Sequence, residues 1–80
     1  MVNVKVYTKD DCSACIATKR WLEKNSIPFD EINVEHDEEQ REALIDKGFA
    51  QMPVVSVAGH GDWAGFRYEK LRGLAAEMHG

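Results

Sequence analysis

Residues 8–21 read TKDDCSACIATKRW, two cysteines three positions apart with an alternating apolar run before them and a helical pattern behind them. Ahead of the pair, Val2, Val4 and Val6 alternate with Asn3, Lys5 and Tyr7, the period-two signature of a strand rich in β-branched residues. Behind it, Cys15, Thr18 and Leu22 recur at helical spacing with Ile16, Ala17 and Trp21 alongside. Lys19, Arg20, Glu23 and Lys24 fill the wetter side, so a helix is predicted over residues 13–25. C-x-x-C alone is a weak motif, but at the junction of a strand and a helix in a β-α-β context it is a specific redox signal.

Working outward, NSIP at residues 25–28 closes the helix, and Phe29, Ile32 and Val34 predict a second short strand. Asp37 with Gln40 three positions later resembles a capping box. The acidic residues 37–39 suit a helix N-terminus, so a second helix is expected to start there. Ala43, Leu44 and Ile45 are its expected apolar face, and Lys47-Gly48 its cationic last turn and left-handed stop. PVVSVA predicts a strand beginning at Pro53, where a missing N–H is tolerated. GHGD then predicts a hairpin into a strand around Asp62–Ala64. Leu71, Leu74, Ala75 and Met78 fall at i, i+3, i+4 and i+7, a C-terminal amphipathic helix with Gly73 as its one blemish. The order is β-α-β-α-β-β-α, an α/β fold with helices packed on a small sheet and with neither repeats nor linkers.

Eighty residues are expected to make a single domain, 1–80, near the lower size limit for one hydrophobic core. With 44% apolar and 30% charged residues the chain should be soluble and globular. Its net charge of −4, with no basic cluster longer than Lys19-Arg20, argues against nucleic acid or an anionic membrane as a main partner. Proteins and small molecules remain. The N-terminal residues lack the basic and apolar regions of a secretory signal, and no apolar run is long enough to span a membrane, so a cytoplasmic location is expected. In a reducing cytoplasm two cysteines are more often catalytic or metal-binding than a permanent disulfide.

A helix starting just after Cys12 puts this thiol where unpaired N–H groups and the positive dipole end stabilise a thiolate, making Cys12 the candidate nucleophile. Cys15, one turn further in and better shielded, suits the resolving thiol. Asp10 and Asp11 oppose the Cys12 thiolate whereas Lys9 favours it. A zinc site would need two further ligands from His36, His60 and His79, none of which shows a paired ligand spacing, and solvated histidines are the expected reading. The alternative from another class is a metal-binding module on Cys12 and Cys15, including an iron–sulfur centre shared by two chains. Metal analysis of protein purified under reducing conditions separates the two.

VYTK..C..C, MPVV and WAGFR, in this order, resemble the glutaredoxin-like NrdH redoxins over essentially the whole chain. The resemblance implies a thioredoxin/glutaredoxin fold: a four-stranded mixed sheet of order 2-1-3-4, its fourth strand antiparallel to the third, and three helices. It implies a monomeric dithiol–disulfide oxidoreductase that donates electrons to the large subunit of class Ib ribonucleotide reductase and is recycled by NADPH-dependent thioredoxin reductase. No bound cofactor is expected, because the electrons travel in a redox-active Cys12–Cys15 disulfide. The alternative is a glutathione-dependent glutaredoxin. Lys9 fits either, since many glutaredoxins place a lysine there to meet a glutathione carboxylate. Ser13-Ala14 replaces the usual Pro-Tyr, and Trp63-Ala64-Gly65-Phe66-Arg67 replaces the Gly-Gly and acidic segment that meets the glutamyl end. A cation at Arg67 is the wrong charge for an ammonium.

Asp10, Ser13-Ala14, Ala64 and Tyr68 depart from the NrdH pattern, which leaves redox potential and preferred partner open. Pro53 corresponds to a proline that the resemblance implies is cis, facing the cysteines, with Met52 presenting its backbone for β-type pairing with a substrate. Trp63 and Phe66 read either as an apolar docking surface beside the cysteines or as core. Arg67 reads as a local ion-pair partner or an anchor of the last helix.

Overall fold

A computed structural model describes residues 4–79, His79 by its backbone alone; Val2 and Asn3 of the predicted first strand, and the His79 side chain, lie outside the described residues. The elements are β1 (Val4–Thr8), α1 (Ser13–Lys24), β2 (Asp30–Asn33), a 3-10 turn (Val34–His36), α2 (Glu38–Asp46), β3 (Val54–Val57), β4 (Gly61–Ala64) and α3 (Tyr68–His79). The sheet order is β2-β1-β3-β4. β1 and β2 run parallel, joined by α1 as the crossover. β3 lies antiparallel to both β1 and β4. This is the four-stranded mixed sheet with three helices of the thioredoxin/glutaredoxin fold.

Strand parity divides the core between the two faces of the sheet. Val4, Val6, Val55, Val57 and Trp63 pack with Leu22 of α1 and Leu71 and Leu74 of α3, with Ala75 and Met78 against them. Val54, Tyr7 and Ala64 face the other way, with Leu44 of α2, Val34 and Phe49. Helix α1 buries Cys15, Thr18 and Leu22, the stripe read from its spacing. Its end is fixed by Ser26 at φ 56°, which lets the Ile27 N–H donate to Leu22 O at 2.9 Å.

Two predicted elements differ in detail. Val34 does not continue β2 but opens the 3-10 turn, where Asn33 Oδ1 accepts from the Glu35 N–H at 3.0 Å and competes with strand extension. In α2 only Leu44 is buried, while Ala43 and Ile45 are exposed, Ile45 at 57%. Three consecutive helical residues fan across about 200°, so they cannot share one face. The ends of α2 are as expected: Asp37 Oδ1 accepts from the Gln40 N–H at 3.2 Å, and Gly48 takes φ 93° so that the Phe49 N–H reaches Leu44 O at 3.0 Å.

Candidate redox site

The loop from Lys9 to Asp11 carries the chain from the C-terminal end of β1 to the start of α1, with Asp11 at φ 53°, a left-handed conformation that aspartate tolerates better than most residues. Cys12 is the N-cap of α1. Its carbonyl accepts the first helical bond, from Ile16 N–H at 3.1 Å, and its Sγ accepts from the Cys15 N–H at 3.1 Å. The sulfur thus occupies the place of a capping oxygen, facing the free N–H groups of the first turn. Cys12 and Cys15 are joined by a disulfide, their Cα atoms 5.2 Å apart. Cys12 is 8% exposed and Cys15 2%, so a partner reaches Cys12 more readily.

On the facing side, the Met52–Pro53 peptide bond is cis, and Met52 O lies 3.7 Å from Cys12 Sγ, close enough to accept from the thiol of the reduced protein. Pro53 is buried, and its carbonyl accepts from the Gly65 N–H at 2.7 Å, which pins the segment after β4 against it. The structure therefore brings Cys12, Cys15, Met52 and Pro53 together. Ser13 is exposed and Ala14 half-buried on the first turn between the cysteines. Lys9 is exposed on the loop before them.

The WAGFR segment splits. Trp63, 8% exposed and opposite Val55, belongs to the core of the α1/α3 face, the second of the two readings its sequence allowed: its β-strand parity turns it inward while Asp62 points out. Phe66 is 40% exposed. Arg67 Nε donates to Glu69 Oε1 at 2.6 Å; a hydrogen bond from the Glu69 backbone, and after it this Arg67 bond, hold the Glu69 carboxyl below its ordinary range. Arg67 is a local ion-pair partner.

Several contributors escaped the sequence reading. Thr8, 1% exposed, donates from Oγ1 to Glu31 Oε2 at 2.8 Å, and Lys19 Nζ on α1 lies 3.0 Å from the same oxygen. This links β1, β2 and α1 directly beneath the cysteine loop. The parity of Val4, Val6 and Thr8 could have placed Thr8 on the buried face. Asp10 accepts from Asn33 Nδ2 at 2.9 Å and faces His36 Nε2 at 3.4 Å. Those contacts, the Asn33 bond first, hold the Asp10 carboxyl below its usual range and engage its charge toward the 3-10 turn. His60 pairs with Glu77 at 2.9 Å. Among the described residues, no three His, Cys, Asp or Glu side chains are grouped to hold a metal ion.

Glu31 supplies a pH signature. The Thr8 hydroxyl is the largest influence and holds its carboxyl below the usual range; burial, next in size, opposes it, and Lys19 adds to the lowering. A carboxyl depressed in the folded state stabilises the fold above its unfolded value, and this contribution is lost as pH falls through the lower folded value. Because the side chain is 38% exposed, the gain is at most about 1 kcal/mol. Glu31→Gln is expected to melt below the parent at pH 7, and the difference should shrink as pH falls below about 4. A gap that is constant with pH would contradict this.

A disulfide capping a helix N-terminus, opposite a cis-proline on a mixed four-stranded sheet, defines a dithiol redox protein of the thioredoxin fold. Residues 4–61 match the glutaredoxin family. The chain is 41% identical over 78 residues to the glutaredoxin-like protein NrdH of Escherichia coli strain K12, covering 98% of this chain and 95% of that one. It is 39% identical over 72 residues to the NrdH protein of Lactococcus lactis subsp. lactis, covering 90% and 99%. The solved structure of the E. coli NrdH-redoxin superposes with a TM-score of 0.85 at 43% identity, covering 90% of this chain and 93% of that one. The chain belongs to the glutaredoxin family, among its NrdH-like redoxins.

Proposed function

We propose that this protein is the dithiol electron donor of a class Ib ribonucleotide reductase, itself reduced by NADPH-dependent thioredoxin reductase. The observation that carries this reading is the near full-length likeness to NrdH proteins, of which the E. coli redoxin has a thioredoxin-like activity profile. The rim agrees with it. Ser13-Ala14 offers no aromatic between the cysteines, and the carboxylate next to the Phe66-Arg67 end, Glu69, is engaged by Arg67 rather than free for an ammonium.

In the proposed cycle the Cys12 thiolate, favoured by the Cys15 N–H and the helix dipole, attacks one sulfur of the substrate disulfide. A Cys12–substrate bond forms and the other substrate sulfur leaves as a thiolate, taking a proton from solvent. Cys15, once deprotonated, attacks Cys12 Sγ, closing the Cys12–Cys15 disulfide and releasing the second substrate thiol. Two electrons and two protons pass from the redoxin to the substrate. Met52 and Pro53 border the attacked sulfur and offer backbone groups for an extended substrate segment. No cofactor takes part, and the protein acts as a monomer in the cytoplasm. No helix among the described residues is long and apolar enough to cross a membrane.

Reduced protein, freed of other thiols, should support repeated deoxyribonucleotide formation by a class Ib reductase, and Cys12→Ser protein should not. Product limited to a single turnover of the reductase, with the redoxin left reduced, would refute the donor role.

A further inference from the structure

We infer that a groove between the β3–β4 hairpin and α3 is a binding site for a small organic monoanion, a molecule with an apolar body and a carboxylate at one end. The groove has a volume of about 380 Å³, within the roughly 300–1,000 Å³ typical of small-molecule sites, and it shares no residue with Cys12, Cys15, Met52 and Pro53. Val57, Trp63 and Leu74 give it apolar walls, and Lys70, Gly73 and Glu77 line it from α3. Lys70, Gly73, Leu74 and Glu77 stand at i, i+3, i+4 and i+7, so one face of α3 forms one side of the groove.

Gly73 is what leaves the groove open. A Cβ at this position would meet nothing within 4 Å, so close packing inside the protein does not call for glycine, and glycine in mid-helix is unfavourable to α3. The polar groups around the space decide the charge of the occupant. Both carboxylates are engaged, Glu69 Oε1 by Arg67 Nε at 2.6 Å and Glu77 Oε2 by His60 Nδ1 at 2.9 Å. Two donors are not. Among the described residues the buried Trp63 indole N–H has no hydrogen-bond partner, and Lys70 makes no ion pair, although its field reaches Glu69. An unmatched donor calls for an oxygen acceptor, and an unmatched cation for an anion. Glu77, about two helical turns from Lys70, repels a negative group. It thereby orients the occupant with its carboxylate at the Lys70 end and its apolar body across Gly73 and Leu74. The Trp63 nitrogen exposes less than 1 Å², so side chains at the mouth shift to admit the oxygen, a kind of rotamer change common on binding.

The test titrates isotope-labelled full-length protein with phenylbutyrate and follows the indole N–H signals of its two tryptophans by NMR, Trp63→Phe protein identifying which signal is which. The Trp63 signal should move saturably with a Kd of about 1 mM, as for a ligand this small, with the Trp21 signal as internal control. Phenylbutyramide, which keeps an oxygen acceptor but loses the charge, should bind about five-fold more weakly, and phenylbutylamine at least about ten-fold. In Lys70→Gln protein the acid and the amide should agree within about two-fold. Gly73→Leu places a side chain in the groove and should weaken phenylbutyrate binding about ten-fold or more, while circular dichroism shows the helix content of the parent. Equal affinity for the acid and the amine would overturn the site, as would phenylbutyrate binding that is unchanged in folded Gly73→Leu protein. No saturable movement of the Trp63 signal at about 10 mM phenylbutyrate, ten times the expected Kd, would overturn it as well. So would a larger shift at Trp21 than at Trp63, since the ligand would then sit elsewhere. None of these readouts depends on disulfide reduction, so the site and the electron-donor reading stand or fall separately.

Discussion

Cys15→Ser protein is expected to stop at the first half of its cycle, accumulating a stable mixed disulfide between Cys12 and its substrate, whereas Cys12→Ser protein should form none and show only background turnover. The difference follows from position. Cys12 caps α1, receives the Cys15 N–H and is the more exposed of the two cysteines, while Cys15 sits on the buried stripe with Thr18 and Leu22. Attack from outside therefore falls to Cys12, and intramolecular release to Cys15. Losing Cys15 removes the internal thiol that breaks the mixed disulfide, so release must await an external thiol. Losing Cys12 leaves a shielded thiol without the capping position. Peptide mapping by mass spectrometry after incubation with a disulfide substrate identifies the bonded cysteine, and a mixed disulfide through Cys15 would reverse the assigned roles.

Trp63→Ala should be among the most damaging substitutions to stability, costing about 3–5 kcal/mol, the range for truncating a buried Trp or Phe. Trp63 lies beside Val55 on the sheet face covered by α1 and α3, and its removal opens a cavity that a small core cannot refill. For 80 residues the whole stability is on the order of 4–12 kcal/mol, so the variant should be largely unfolded or close to it at 37 °C. Phe66→Ala, at a site 40% exposed, should cost below about 1.5 kcal/mol, part of a full side-chain burial. Urea unfolding of both variants measures the contrast. A Trp63→Ala protein of parental stability with impaired reductase coupling would return Trp63 to the docking surface.

How far such features can be read from sequence depends on whether they are local. The alternation of Val4 and Val6, the stripe Cys15–Thr18–Leu22, the Asp37 cap and the Gly48 stop are decided within a turn or a strand, and each is found where its local pattern puts it. The cysteine pair was legible for the same reason, since strand, thiol and helix start are consecutive. Trp63 was ambiguous because its facing depends on the register of β4 against β3, which no short motif in WAGFR specifies. Ile45 was misplaced because the apolar run Ala43-Leu44-Ile45 gives no phase to a helix, and tertiary packing chose Leu44 alone. Thr8, Glu31 and Lys19 come together from three elements, as do Asp10, Asn33 and His36, and such convergence is visible only once the sheet order is known. The groove between the β3–β4 hairpin and α3 is of the same kind.

The most direct test of the central claim is NADPH oxidation with a protein disulfide as final acceptor, supplying electrons through thioredoxin reductase in one reaction and through glutathione with glutathione reductase in the other. The account predicts sustained oxidation with thioredoxin reductase, dependent on both Cys12 and Cys15, and only background with glutathione. Turnover with glutathione alone would contradict it and make the protein a glutathione-dependent glutaredoxin.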